Sequence, residues 1–196
     1  MNSAVRRAAV LAGAGALVAS ASALVTPAAH AVGAGTGQYN CTSTLKGSPI
    51  SVGTWTAAVA AFSPSSVARG ATISTPLVTG VISAPAQAAA LLQAKGIVYM
   101  QGTVTVKYSA TGAVANPGAR STTVAAPLAV VPSSNNALGV ALVGGPITDT
   151  AANKAGTVTY ATTSVSGTFK TNKGTTLPIS CTPVGGPVTI ATVTVK

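Results

Sequence analysis

Beyond residue 38 apolar and polar positions alternate with a period of two over most of the chain. Trp55, Ala57, Val59 and Ala61 fall on one face of the segment 49–62. Val104, Val106 and Tyr108 alternate with Thr103, Thr105 and Lys107. This period places one buried and one exposed face on each segment, as in half-buried β-strands. Further strands are expected over 38–45, 71–83, 120–131, 157–171, 175–182 and 189–196. Pro76 interrupts one of them, which points to a sheet edge, and Pro127 breaks another. Lys46-Gly47-Ser48, Asn116-Pro117-Gly118, Gly144-Gly145-Pro146 and Asn172-Lys173-Gly174 supply the turns.

One stretch departs from this period. "APAQAAALLQAKG", residues 84 to 96, combines good helix formers with Pro85 at a first-turn position and Gly96 just past the end. It predicts a short helix over 85–95 whose Leu91 and Leu92 pack across one end of a sheet. Eight or nine short strands with turn signals between them and a single helix predict a mainly β chain. The expected fold is an antiparallel, Ig-like β-sandwich, with a closed barrel as the alternative. The spacing of Cys41 and Trp55 resembles that of immunoglobulin domains. Cys181 lies much too far along the chain for a true immunoglobulin domain.

The N-terminus changes the domain division. Arg6 and Arg7 precede an apolar run to about Val25, and Ala29-His30-Ala31 carries small residues where a signal peptidase reads. Residues 1–31 are therefore expected to be a cleaved export signal, without a transmembrane segment remaining. The stretch 32–37, "VGAGTG", is expected to be a flexible leader, and 38–196 a single domain. The remaining 165 residues of the 196 can bury a full core.

Charge narrows the chemistry. The 196 residues hold 11 Lys and Arg, one acid and one histidine. Removal of 1–31 takes Arg6, Arg7 and His30, which leaves nine cations against Asp149 and a net charge of +8. A Ser-His-Asp triad needs a histidine and paired-carboxylate hydrolysis needs two acids. Zinc and calcium sites need clustered ligands that this composition lacks. No catalytic residue, metal ligand or cofactor is expected. The cations are spread along the chain, and only Lys170 and Lys173 are near neighbours. With Trp55 as a stacking surface, they are the candidate contacts for an anionic polymer.

Cys41 and Cys181 are the two cysteines of the chain. In an exported protein such a pair is expected to be a disulfide, with two separate thiols as the alternative. Closure of so long a loop stabilises the fold by about 5 kcal/mol in the chain-entropy account.

"YNCTSTLKGSPISV", "SPSSVARGATIS", "GIVYMQGTVTV" and "LPISCTPVGGPVTIATVTV" together resemble a family of secreted actinobacterial domains of unknown function. The resemblance covers nearly the whole chain after residue 31. It implies a β-sandwich with one disulfide, at the cell surface or outside the cell, and it lends no catalytic residues. The function expected is that of a secreted or cell-surface structural or interaction module. Binding of an anionic cell-wall or extracellular polymer is the alternative, and a membrane-active β protein is a third reading. Expected partners are cell-wall polymer or other surface proteins, and no specific nucleic acid. A thiol titration of the unreduced protein, unfolded in guanidinium, is expected to find no reactive thiol; two would remove the pairing.

Overall fold

The computed structural model describes residues 30–45, 48–75, 78–133 and 136–196. Twelve strands run in chain order as β1 (His30–Leu45), β2 (Ser48–Pro64), β3 (Ser66–Val67), β4 (Thr72–Thr75), β5 (Val78–Ala84), β6 (Tyr99–Gly112), β7 (Gly118–Val130), β8 (Leu138–Gly144), β9 (Ile147–Thr150), β10 (Gly156–Thr171), β11 (Thr176–Pro183) and β12 (Val188–Val195). The helix α1 (Ala86–Ala94) joins β5 to β6.

The expected sandwich is not what forms. Eight strands pair antiparallel in the order β11-β1-β2-β5-β8-β7-β6-β10, and β10 pairs again with β11. The ring closes into a β-barrel. Alternation reports only that one face of each strand is buried, which is equally true of a sandwich and of a barrel. Closure depends on β11 finding both β10 and β1, and local sequence carries no sign of that. The run β5-β8-β7-β6 is a Greek key, whose long crossover from β5 to β6 is the segment holding α1.

The strand β10 is the junction of the molecule. One of its edges pairs with β6 along nearly the whole length. The other pairs with β12 over Gly156–Thr162 and with β11 over Val165–Lys170. Register shifts at Tyr160/Ala161 and between Thr162 and Ser164 mark the split. Thr162 is fully buried there. Its hydroxyl donates to Val188 O at 3.1 Å and lies 2.8 Å from the Tyr39 hydroxyl. The branch point, a place where the ladders diverge, thus has its polar groups paired internally.

The lumen is filled. Trp55, Phe169, Met100, Leu138, Val104, Val124 and Val140 are almost wholly buried inside the ring. Ala88, Ala89 and Leu92 of α1 close that core from one end. Leu91, expected to pack there too, faces solvent at 44% exposure. Gly96 adopts φ +69, its N–H bonds to Gln93 O at 2.7 Å, and the Ile97 N–H bonds to Leu92 O at 2.9 Å. This is the Schellman ending that the sequence signalled. A second core at the other end gathers Ile73, Ile147, Tyr108, Tyr160, Val158, Ile190 and Val193 beneath β12 and the small sheet β4–β9.

Three further expectations are revised. Residues 32–37 form no separate leader; they are part of β1, paired with β2 from His30↔Pro64 onward. A Cβ on Gly33 would lie 2.6 Å from Ile190 O, and one on Gly35 would collide with Thr189 O. Every second residue is glycine because β12 lies against this face of β1. The expected signal 1–31 lies outside the described residues except for His30 and Ala31, which begin β1. The segment around Pro76 is not one edge strand: β5 is flanked by β2 and β8, whereas β4 leaves the barrel to pair with β9. Pro127 does not end β7, but β7 pairs with β8 only through Val124 and Ala125, just before it.

Cys41 and Cys181 face each other in register across β1 and β11 and are joined by a disulfide, with Cα atoms 4.1 Å apart. Replacement of Gly35 by Ala is expected to cost about 1–3 kcal/mol in chemical denaturation, because neither backbone can yield. Gly139→Ala, where nothing lies within 4 Å of the added carbon, is expected to be neutral or slightly stabilising. Equal stability of the two variants would refute the packing of β1 against β12.

Candidate functional site

Two places bring together side chains with chemical potential. One is buried at the β12 end of the barrel. Arg120, in β7, donates from Nε and Nη2 to Asp149 Oδ1, each at 3.2 Å. The same guanidinium donates to Ala119 O at 3.2 Å and to Asn116 O. Asp149 sits in β9 opposite Ile73 with its side chain 7% exposed, and its Oδ2 is buried without a hydrogen-bond partner. Tyr108 and Tyr160 stack edge-on nearby, with ring centroids 6.1 Å apart. The chain's one acid therefore clamps the β6–β7 connection to β9.

The other place is on the surface, at the end capped by α1. The β10–β11 turn docks on the chain leaving the helix. Asn172 accepts from the Val98 N–H at 3.0 Å through Oδ1 and donates to Gly96 O at 3.1 Å through Nδ2. Its own N–H bonds to Tyr99 O at 3.3 Å. This brings Lys173 beside the end of α1: a Cβ on Gly96 would lie 2.6 Å from Lys173 Nζ. Lys95, the C-cap residue of α1, is next to Gly96. Cations near a helix C-terminus meet its partial negative charge favourably. Lys170 stands on the adjoining wall, in register with Gln101 of β6 and Thr176 of β11. With Thr103, Thr168 and Ala126 these residues line a shallow groove of about 390 Å³.

The sequence-based candidates are therefore divided. Lys170 and Lys173 lie at one end of the barrel, as their spacing suggested. Trp55 does not join them: it is 2% exposed in the barrel interior and donates from Nε1 to Val52 O at 3.0 Å. Its position on the Ala57, Val59, Ala61 face already carried that signal. Lys95 was missed as a partner of Lys173, because only the docking of the turn on the helix end brings the two together. Among the described residues no cluster of three or more His, Cys, Asp or Glu could hold a metal ion.

No family model and no curated protein matches this chain. Among solved structures the chain is similar to one described as "Putative membrane anchored protein from Corynebacterium diphtheriae". The TM-score is 0.57 at 18% sequence identity, over 83% of this chain and 37% of that one. At this identity the likeness shows the fold, in a protein from an actinobacterium. The chain spans little more than a third of that protein's length. Among the described residues no helix is long and apolar enough to cross a membrane.

Three phenols carry the pH dependence that this structure predicts. Burial pushes Tyr39, Tyr108 and Tyr160 above the ordinary 10.0. The Asp149 charge adds to the rise at Tyr108 and Tyr160, while the hydrogen bond shared with Thr162 opposes it at Tyr39. The folded chain keeps these protons at pH values where the unfolded chain has released them. Their contribution is full below pH 10 and is lost as pH climbs from there through the raised folded-state values. Thermal melts followed by circular dichroism are expected to show Tm falling above about pH 10, and less steeply in Tyr160→Phe.

Proposed function

We propose that this chain is a non-catalytic module displayed outside the cytoplasm, acting by contact through its outer wall. The observation that carries the reading is the division of the barrel into a filled inside and a polar outside. Trp55, Phe169 and Met100 occupy the lumen, which supports contact through the outer wall. The wall presents Thr42, Thr54, Thr56, Thr103, Thr168, Thr176 and Ser180 to solvent. That is the reverse of a membrane-spanning barrel, whose outer band is apolar. The disulfide suits an oxidising compartment, and the fold recurs in a protein described as membrane anchored.

A second reading has its own support. Lys95, Lys170 and Lys173 gather at one end, and the one acid of the chain, Asp149, is engaged with Arg120. Such a cluster favours an anionic surface polymer as the contact. The chain is expected to be retained on immobilised polyphosphate at low ionic strength and released as salt rises. A variant with all three lysines changed to Gln is expected to elute earlier. Turnover of chromogenic ester, phosphoester or glycoside substrates above background would overturn the non-catalytic reading.

A further inference from the structure

Seven large apolar side chains are exposed among the described residues, and they are not evenly spread. Five belong to the helix-capped end: Leu91, Val98, Tyr99, Leu128 and Val130, the last 69% exposed. Tyr99 and Val130 face each other across β6 and β7. Val98 accepts through its carbonyl from the Val131 N–H at 2.9 Å and is held on its other side by Asn172. Leu91 is one turn before Lys95 on the exposed side of α1. Single exposed apolar residues are ordinary, but a group of them at one end calls for a partner.

The same end carries Lys95, Lys170 and Lys173. The one side-chain acid, Asp149, belongs to the other core. A phosphate polymer would account for the lysines and leave the apolar group uncovered. A second copy of the chain would cover the apolar group but bring three more cations against the first three. An anionic lipid surface answers both features: headgroups meet the ammonium groups, while short apolar side chains and a tyrosine enter the boundary layer. We infer that the helix-capped end of the barrel docks on an anionic bilayer surface, with Tyr99 and Val130 at the centre of the contact and Lys95, Lys170 and Lys173 around it. This rests on the surface-module reading above and names its partner.

The test is co-sedimentation of the full exported chain with vesicles of phosphatidylcholine containing phosphatidylglycerol, against phosphatidylcholine alone. Binding is expected only with the anionic lipid. Lys95→Gln with Lys173→Gln is expected to lower partitioning about twenty-five-fold, at roughly fivefold for each charge near the surface. Tyr99→Ser with Val130→Ser is expected to lower it about tenfold or more, with the loss persisting in high salt. Lys154→Gln, at the opposite end, and Val184→Ser, beside Gln38 part-way along β1, serve as controls and are expected to bind as the parent does. An effect of Lys154→Gln equal to that of a lysine at the helix-capped end would overturn the proposal, since attraction would then be a matter of net charge. Retention on polyphosphate without vesicle binding would also overturn it and leave the polymer reading standing. Retention on neither would remove both.

Discussion

The ring closes at one strand. β11 must lie between β10, its neighbour in sequence, and β1, at the other end of the chain. The hairpin to β10 forms locally, through the Asn172-Lys173-Gly174 turn. The pairing with β1 must overcome the entropy of a very long loop before any of its contacts forms. The disulfide sits at this seam, where Cys41 and Cys181 face each other in register. It removes much of that cost from the unfolded side, in the one interface that needs it. Without β11 in place, β1 and β10 would both present open edges and the interior around Phe169, Leu177 and Ile179 would face water.

Closure also explains why β10 branches. A ring of eight is complete at β11, yet β10 continues past it and needs a partner on the same edge. β12 provides it, then lies against the glycine face of β1. The barrel thereby gains a second core around Tyr108, Tyr160 and Val193, with β4 and β9 above it. The Arg120–Asp149 pair ties that upper part together.

The consequences for function follow from which face is filled. Trp55, Met100 and Leu138 fill the barrel among the described residues, so the contact proposed above is assigned to the outer wall and the two ends. The ends differ. At one, strands and a small sheet cover the core. At the other, a short helix covers it only partly and leaves Tyr99, Leu128 and Val130 in water beside three lysines. That difference in finish, and no single residue, is what the proposed contact surface rests on.

Most of the long strands, the helix with its glycine ending and the buried side of those strands were legible in the sequence, because period-two alternation and capping are local; β3, β9 and the first half of β1 were not. Val104, Val106 and Tyr108 are buried as their pattern indicated, and so is Trp55, despite its candidacy as a polymer contact. The scarcity of acids and histidines likewise needed no structure to read. What only the tertiary structure decided was connection between distant segments. Sandwich and barrel share one alternation, and the choice between them lay in the β10–β11–β1 pairing. The glycines of "VGAGTG" looked like a leader because their reason, the backbone of β12, lies at the other end of the chain. Lys95 and Lys173 became neighbours through a turn docking on a helix end, a contact made by backbone groups and one asparagine, to which local periodicity is blind.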